Sequence, residues 1–233
     1  MKTIYLYRPE QSQPCGYLDG RRSSSLYADP NLILSDSELS HLSRLGFRRS
    51  GHLLYRPACP DCQACQSFRQ ICQPRPISKS QKRLSKRFKH LTWSIERPYF
   101  DSEIYQLFET YIASRHADGD MYPATTNQFN EFLVDNFGNT FFLIARSQNE
   151  LTACIVIDVF DDGLSSVYSF YDVTEDSSLG SHAIHQVALL THCLGLDYHY
   201  LGFYINDCHK MAYKARFLPA EVFNGQEWLP FQT

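Results

Sequence analysis

The chain has 233 residues, 43% of them hydrophobic, enough to bury a sizeable core in one large domain or two small ones. No apolar run reaches the roughly 20 residues that span a bilayer, and the first 14 residues are polar, so neither a membrane span nor an export signal is expected. Net charge is only −3, which excludes a uniformly basic nucleic-acid binder, yet eight Lys and Arg and no Asp or Glu lie between Arg69 and Lys89; such asymmetry points to a local anionic partner.

Residues 1–34 look irregular, interrupted by Pro9, Pro14, Gly16, Gly20 and Pro30. Ser35-Asp36-Ser37-Glu38 fits a capping box, and Leu39, Leu42 and Leu45 before Gly46 predict a short helix. Extended chain follows over 47–55, broken at Gly51, and then a Cys-rich loop over 59–72. Charges at 79, 82, 83, 86 and 90, with Leu84 and Phe88 on another face, predict a basic amphipathic helix over 79–90. A plain solvated face shows the same pattern, so both readings stay open there.

A strand over 93–97 precedes a helix capped by Asp101, with Ile104, Leu107, Phe108, Tyr111 and Ile112 as its apolar stripe. A second helix starts at Thr125, with Gln128 as capping-box partner and Phe129, Phe132 and Leu133 inside. Three antiparallel strands are predicted over 140–146, 151–160 and 165–172, with turns at Asn149-Glu150 and Asp161-Asp162-Gly163. A helix over 181–194, a strand over 198–205, a short helix capped by Asn206 or Asp207 and running to Phe217, and a hairpin around Asn224-Gly225 complete the chain. From about residue 92 this order matches an N-acetyltransferase-like (GNAT-type) α/β fold. The expected architecture is a GNAT-type mixed sheet behind a small Cys-containing N-terminal region, divided as 1–78 (Cys-rich), 79–91 (basic helical connector) and 92–233 (catalytic). Element order alone assigns no activity.

Eight Cys in a chain without an export signal read as thiols or metal ligands rather than disulfides, and a cytoplasmic location is expected. Cys59-x-x-Cys62-x-x-Cys65 with Cys15 would supply four thiolates, a set suited to zinc or an iron–sulfur cluster. Free thiols in a loop are the other reading. Cys72 is a substitute ligand, while Cys154, Cys193 and Cys208 read as core or helix residues.

Several segments recur in one order: Cys15-Gly16-Tyr17-Leu18, Gly46-Phe47-Arg48-Arg49-Ser50-Gly51, Tyr55-Arg56-Pro57 before the three spaced cysteines, Tyr168-Ser169-Phe170-Tyr171-Asp172, Leu179-Gly180, Tyr200-Leu201-Gly202-Phe203-Tyr204-Ile205, and Tyr213-Lys214-x-x-Phe217-x-Pro219. Together, over residues 14 to 231, they resemble the arginyl-tRNA–protein transferase family, and most of all its short bacterial leucyltransferase branch. The resemblance implies transfer of an aminoacyl group from a charged tRNA to a protein whose N-terminal residue is Asp or Glu, marking that protein for degradation. The short chain favours leucine from leucyl-tRNA; arginyl-tRNA is the alternative donor, and a metabolite N-acetyltransferase is the rival on the same fold. Some members hold a cluster through N-terminal cysteines; here Leu18 stands where the eukaryotic pattern has a second Cys after Cys15.

The implied reaction is aminolysis of an activated ester by an α-amine of pKa about 7.7–8.0. Alignment, oxyanion stabilisation and a proton acceptor suffice, so neither a nucleophilic Cys nor coenzyme A is expected. In a GNAT-type fold the reactants meet where two strands splay, here 165–172 and 198–205. Asp172 at the strand end is the candidate proton acceptor, or else a turn residue, with Tyr168 and Tyr171 as polar partners. The acceptor's carboxylate calls for a cation, from Arg48, Arg49, Lys214 or Arg216, with Tyr204 nearby. Lys79, Lys82, Arg83, Lys86 and Arg87 would contact tRNA, and the helix start at Gly180 would hold its terminal phosphate. His209 is a weaker acid/base candidate, better read as a capping or surface residue. A monomer is expected.

Overall fold

The computed structural model describes residues 3–135, 138–174 and 178–232. Several helices begin where local chemistry demands. Before α1 (Asp36–Arg44), the Ser35 amide donates to Glu38 and the Glu38 amide donates to the Ser35 hydroxyl, closing the capping box. The same reciprocal pair forms between Ser78 and Gln81 at the start of α2 (Lys79–Arg87), and between Thr125 and Gln128 at α4 (Thr126–Phe129), which runs on as a π-helical turn over Asn130–Val134. Asp101 caps α3 (Ser102–Arg115) by accepting from the Glu103 and Ile104 amides.

The first 34 residues are not irregular. They form β1 (Leu6–Tyr7), β2 (Gln13–Pro14), β3 (Arg22–Ser23) and β4 (Ser25–Ala28). β1 and β4 join β5 (Arg48–Ser50) and β6 (Leu53–Pro57) in a four-stranded antiparallel sheet, ordered β1-β4-β6-β5. The Cys-rich segment also differs from expectation, because its second half is the strand β7 (Gln66–Ile71). Sequence pattern hides it: the polar Ser67, Arg69 and Gln70 are buried along with Phe68, and no polar–apolar alternation remains.

The large sheet has eight strands. Its members are β7, β8 (Thr92–Glu96), β9 (Thr140–Ser147), β10 (Glu150–Phe160), β11 (Gly163–Tyr171), β12 (Tyr198–Tyr204), β13 (Ala220–Phe223) and β14 (Trp228–Pro230), ordered β14-β13-β7-β12-β11-β10-β9-β8. β11 and β12 are parallel and the other pairs antiparallel, so the architecture is mixed α/β. β7 lies between β12 and β13, so the expected boundary at residue 78 does not keep the N-terminal segment out of the large sheet. The β9–β10 turn uses Gln148 and Asn149, both at positive φ, one residue earlier than expected.

Alternation along the strands separates two faces. Leu143, Ile155, Ile157 and Leu164 pack on Ala183 and Val187 of α5 (Leu179–Cys193). Phe142, Ile144, Cys154 and Val156 pack on Ile104, Phe108 and Ile112 of α3 and on Phe129 and Leu133. Asp158 continues that second face and binds Arg49, which seats the four-stranded sheet on the α3 side. After β12 comes α6 (His209–Ala212), then a 3-10 turn over Tyr213–Arg216. Cys208, not Asn206 or Asp207, occupies its N-cap position, because the Asn206 carboxamide is taken up by Tyr204 and Asp207. Among the described residues, no helix is long and apolar enough to cross a membrane.

Candidate active site

β11 and β12 pair only over Gly163–Ser165 and Tyr198–Tyr200. Beyond this the strands part, and backbone groups on their facing edges need other partners. Arg48 supplies them from β5. Its Nη2 donates to the carbonyls of Ser166 (3.2 Å) and Val167 (3.3 Å), and the guanidinium lies 5.7 Å over the Phe203 ring. Gly202 makes this possible. It sits at φ +81° in a bulge of β12, and a Cβ built there would overlap the Arg48 guanidinium. Arg48 is therefore a wedge between two diverging strands.

Lys214 stands close by, only 4% exposed, with Nζ 3.1 Å from Met211 Sδ and 4.9 Å from the Tyr213 ring. Neither cation has a carboxylate partner among the described residues. Burial pushes the Lys214 ammonium down to about 7, Arg48 adds repulsion, and Cys208 opposes both. A buried amine held this way binds an anion readily, because the anion restores its charge.

Tyrosines line the rest of the opening. The Tyr171 ring lies 5.0 Å from Tyr111 and sits over Gly180, where a Cβ would come within 3.0 Å of its ring. Tyr168 packs edge-on against Phe108 and Phe132. Burial raises the Tyr168 and Tyr111 phenols well above their usual range, so both remain O–H donors and neither serves as a base. Sequence reading missed one pair here: the half-buried Ser166 hydroxyl lies 2.7 Å from Nε2 of the buried His199. Burial, reinforced by His185, pushes that imidazole down to about 3, so it is neutral and orients Ser166. Nothing in the spacing of Ser166 and His199 announces the contact, which arises only from parallel strand pairing.

Other candidates fall outside the opening. Arg49 is buried and grips Asp158 with two bonds of 2.8 and 3.0 Å, and Thr140 donates to the same carboxylate. It holds β5 to β10 and is unavailable to a ligand. Asp172 stands in a turn: its Oδ1 accepts from the Thr174 amide and hydroxyl just past β11. Tyr204 packs against Phe68 and Phe231 and donates to Asn206. Arg216 and His209 are exposed on the following turns.

The basic helix forms but ends at Arg87, with Phe88 as its C-cap, short of the expected residue 90. Lys79, Lys82, Arg83, Lys86 and Arg87 are exposed, while Leu84 and Phe88 face inward. Phe88 stacks 4.9 Å from His182 of α5, and Gln81 meets His185 at 3.4 Å. Burial pushes His182 down to about 4, so this seam is neutral. The start of α5 thus lies beside both the basic helix and Tyr171.

Cys15, Cys59, Cys62 and Cys65 all line one cavity of about 430 Å³ beside the four-stranded sheet. Cys65 lies close to the other three, and burial with their repulsion raises its thiol to about 12. Among the described residues, no three His, Cys, Asp or Glu side chains stand together in a metal-ligating arrangement. Cys72 lies elsewhere, at the end of β7 against Thr191, and is no substitute ligand for that group.

A mixed sheet that parts between two parallel strands, where the half-buried Arg48 and the buried Lys214 have no carboxylate partner among the described residues, defines an α/β protein with a candidate site at its strand splay. The sequence model of the arginine-tRNA-protein transferase C terminus matches residues 103–224, and that of the N terminus matches residues 13–83. The aspartate/glutamate leucyltransferase of Pseudomonas aeruginosa (strain UCBPP-PA14) is 41% identical over 220 residues, 94% of each chain. Those of Hahella chejuensis (36%, 98% of each chain) and Teredinibacter turnerae (40%, 97% of this chain and 93% of the relative) are similar over nearly the full length. The chain belongs to the arginine-tRNA-protein transferase family. A solved structure of L-PGS from Bacillus licheniformis shares the fold at a TM-score of 0.50 and 13% identity, over 62% of this chain and 48% of that one.

Proposed function

We propose that this chain transfers leucine from leucyl-tRNA to the N-terminal Asp or Glu of acceptor proteins. Full-length similarity to aspartate/glutamate leucyltransferases supports the donor and acceptor classes. The observation that carries the mechanism is the pair Arg48 and Lys214, two cations at the strand opening without a carboxylate partner among the described residues. The acceptor's side-chain carboxylate fills that role, with Lys214 as its ion partner and Arg48 as the wedge that keeps the gap open.

In this reading the large sheet is GNAT-type, with β11 and β12 as its splayed pair. The acceptor's neutral amine attacks the ester carbonyl, the new C–N bond forms, the C–O bond to ribose breaks, and the amine's proton ends on the ribose oxygen. About a tenth of an α-amine is neutral at pH 7, so no strong base is required. Tyr168, and Tyr171 backed by Tyr111, donate to the developing oxyanion. Ser166, oriented by His199, relays the proton. Lys79, Lys82, Arg83, Lys86 and Arg87 position the tRNA, and the α5 amides near Gly180 take its terminal phosphate.

Cys15, Cys59, Cys62 and Cys65 would hold zinc or an iron–sulfur cluster. The donor types suit either, although among the described residues these thiols do not stand in a metal-ligating arrangement, so the reading rests on donor chemistry and on their sharing one cavity wall. Such a group would supply cross-linking of the loop to the sheet. Its test is elemental analysis of anoxically purified protein: near-stoichiometric metal in the wild type, lost in Cys62→Ser, is expected, and active wild type without metal removes the idea.

The test of the function is transfer of labelled leucine and arginine from their tRNAs to reporters beginning with Asp, Glu, Lys or Ala. Leucine on Asp and Glu alone is expected. Arginine in its place would overturn the donor while leaving the reaction class standing.

A further inference from the structure

The four-stranded sheet carries a row of side chains in direct cross-strand register: Tyr7 opposite Tyr27, Tyr27 opposite Tyr55, and Tyr55 opposite Arg48. Their rings form a continuous stack, with centroids 5.5 Å apart for Tyr7–Tyr27 and 5.9 Å for Tyr27–Tyr55, and Tyr55 then meets Phe203 of β12 at 5.8 Å. The row runs from the exposed Tyr7 to the wedge at the strand opening. Three strand spacings of about 4.8 Å make roughly 14 Å, the length of about four extended residues.

Beside this row lies the cavity of about 430 Å³. Tyr55 and Phe203 belong to its wall, as do Arg8, Arg21, Arg22, Arg56 and the four cysteines named above. No Asp or Glu among the described residues does, and Tyr7 and Tyr27 extend the row beyond it. Arg22 is fixed to Ser12, and Arg56 lies over Phe47 and donates to Leu45. Arg8 and Arg21 are exposed and have no carboxylate partner among the described residues. Glu10 and Asp61 line the adjoining outer hollow, which Arg8, Arg21 and Arg22 share with them, so the inner wall carries the four arginines without a carboxylate and the outer one carries three arginines against two carboxylates.

We propose that this arginine-lined cavity and its tyrosine row receive roughly the second to fifth residues of the acceptor chain, and favour acidic over basic side chains there. The inference rests on the reading of Lys214 and Arg48 as the site of the acceptor's first residue, and extends it outward. Two features favour a peptide over the RNA as occupant. The row ends at Arg48, where the first acceptor residue is placed. The cavity also lies on the face of the large sheet opposite α5 and the basic helix: Ser67 and Phe203 line it, whereas Phe68, next along β7, packs towards Ile184 of α5. Donor and acceptor thus approach the opening from opposite faces.

The experiment measures kcat/KM for leucine transfer at saturating leucyl-tRNA, with peptides beginning Asp and carrying Glu, Ala or Lys at positions two to five. The wild type is expected to rank Glu above Ala above Lys, across a range on the order of tenfold that shrinks with added salt. The double variant Arg8→Ala/Arg21→Ala should flatten this ranking, and Arg21→Glu should tilt it towards Lys. Both should keep the Asp-over-Ala preference at position one, the KM for leucyl-tRNA, and the metal content of the wild type. A wild type indifferent to positions two to five overturns the proposal, as does a ranking the variants leave untouched. A raised KM for leucyl-tRNA with an unchanged peptide ranking assigns the cavity to RNA. Loss of the position-one preference in the wild type would instead defeat the first-residue reading.

Discussion

At the scale of single residues, the account turns on what burial does to charge. Burial, helped by Arg48, pushes the Lys214 ammonium down to about 7. Binding an acidic acceptor requires that proton, so kcat/KM should fall as pH rises through about 7, against the rise expected from the acceptor amine deprotonating at about 7.7–8.0. Lys214→Arg keeps its charge at all these pH values. Its profile should retain the rising limb and lose the fall; an alkaline fall at the same pH in the variant would remove Lys214 from acceptor binding. The sign for stability runs the other way from a salt-bridged lysine. The unfolded chain holds the Lys214 proton up to its ordinary value of 10.5 and the folded chain releases it near 7, so stability contributed by this group rises with pH between the two. Of these features the sequence displays only the residue types. Arg48 and Arg49 are neighbours with equal charge, yet one faces the opening and the other Asp158, because alternation along β5 sends them to opposite faces. That assignment needs the partner strands, which lie more than a hundred residues away.

Secondary-structure elements were legible to the degree that their determinants are local. Capping boxes at Ser35 and Thr125 announce α1 and α4, the charge pattern announces α2, whose Ser78 capping box the structure adds, and Asn224-Gly225 announces its hairpin, where Gly225 takes φ +102°. β7 was not legible, because its buried Arg69 is satisfied by Glu221 and Tyr200, on strands that only the tertiary structure brings near. Its Phe68 is fully buried, so Phe68→Ala would cost about 3–5 kcal/mol. The basic helix was legible, and its inward seam shows how it is held. Phe88 on His182 and Gln81 against His185 fix α2 to α5 without using its cations. Lys79, Lys82, Arg83 and Lys86 are exposed and can meet phosphates, whose contacts release counterions and weaken with salt. Replacing Lys82, Arg83 and Lys86 by Ala should raise the KM for leucyl-tRNA and flatten the salt dependence of binding, with the Asp and Glu preference intact. Parallel salt slopes for wild type and variant would place the tRNA elsewhere.

Over the whole molecule, the four-stranded and eight-stranded sheets are joined through β5, where Arg49 grips Asp158 of β10 and Arg48 reaches the candidate site. The four-stranded sheet contributes Arg48 and the large sheet contributes Gly202, Phe203, Ser166 and the turn carrying Lys214. Element order suggested where strands would part, but not that a side chain from the N-terminal sheet would hold them apart. The central claim is that the acceptor's carboxylate is read in this opening by the buried cation. Its most direct test is the ratio of kcat/KM for reporters beginning with Asp and with Asn, in the wild type and in Lys214→Met. A charge-assisted bond of about 1.5–3 kcal/mol predicts a wild-type ratio of roughly 10- to 150-fold. In Lys214→Met that ratio should collapse towards one, with the KM for leucyl-tRNA unchanged; a variant that still prefers Asp over Asn by the wild-type factor would contradict the account.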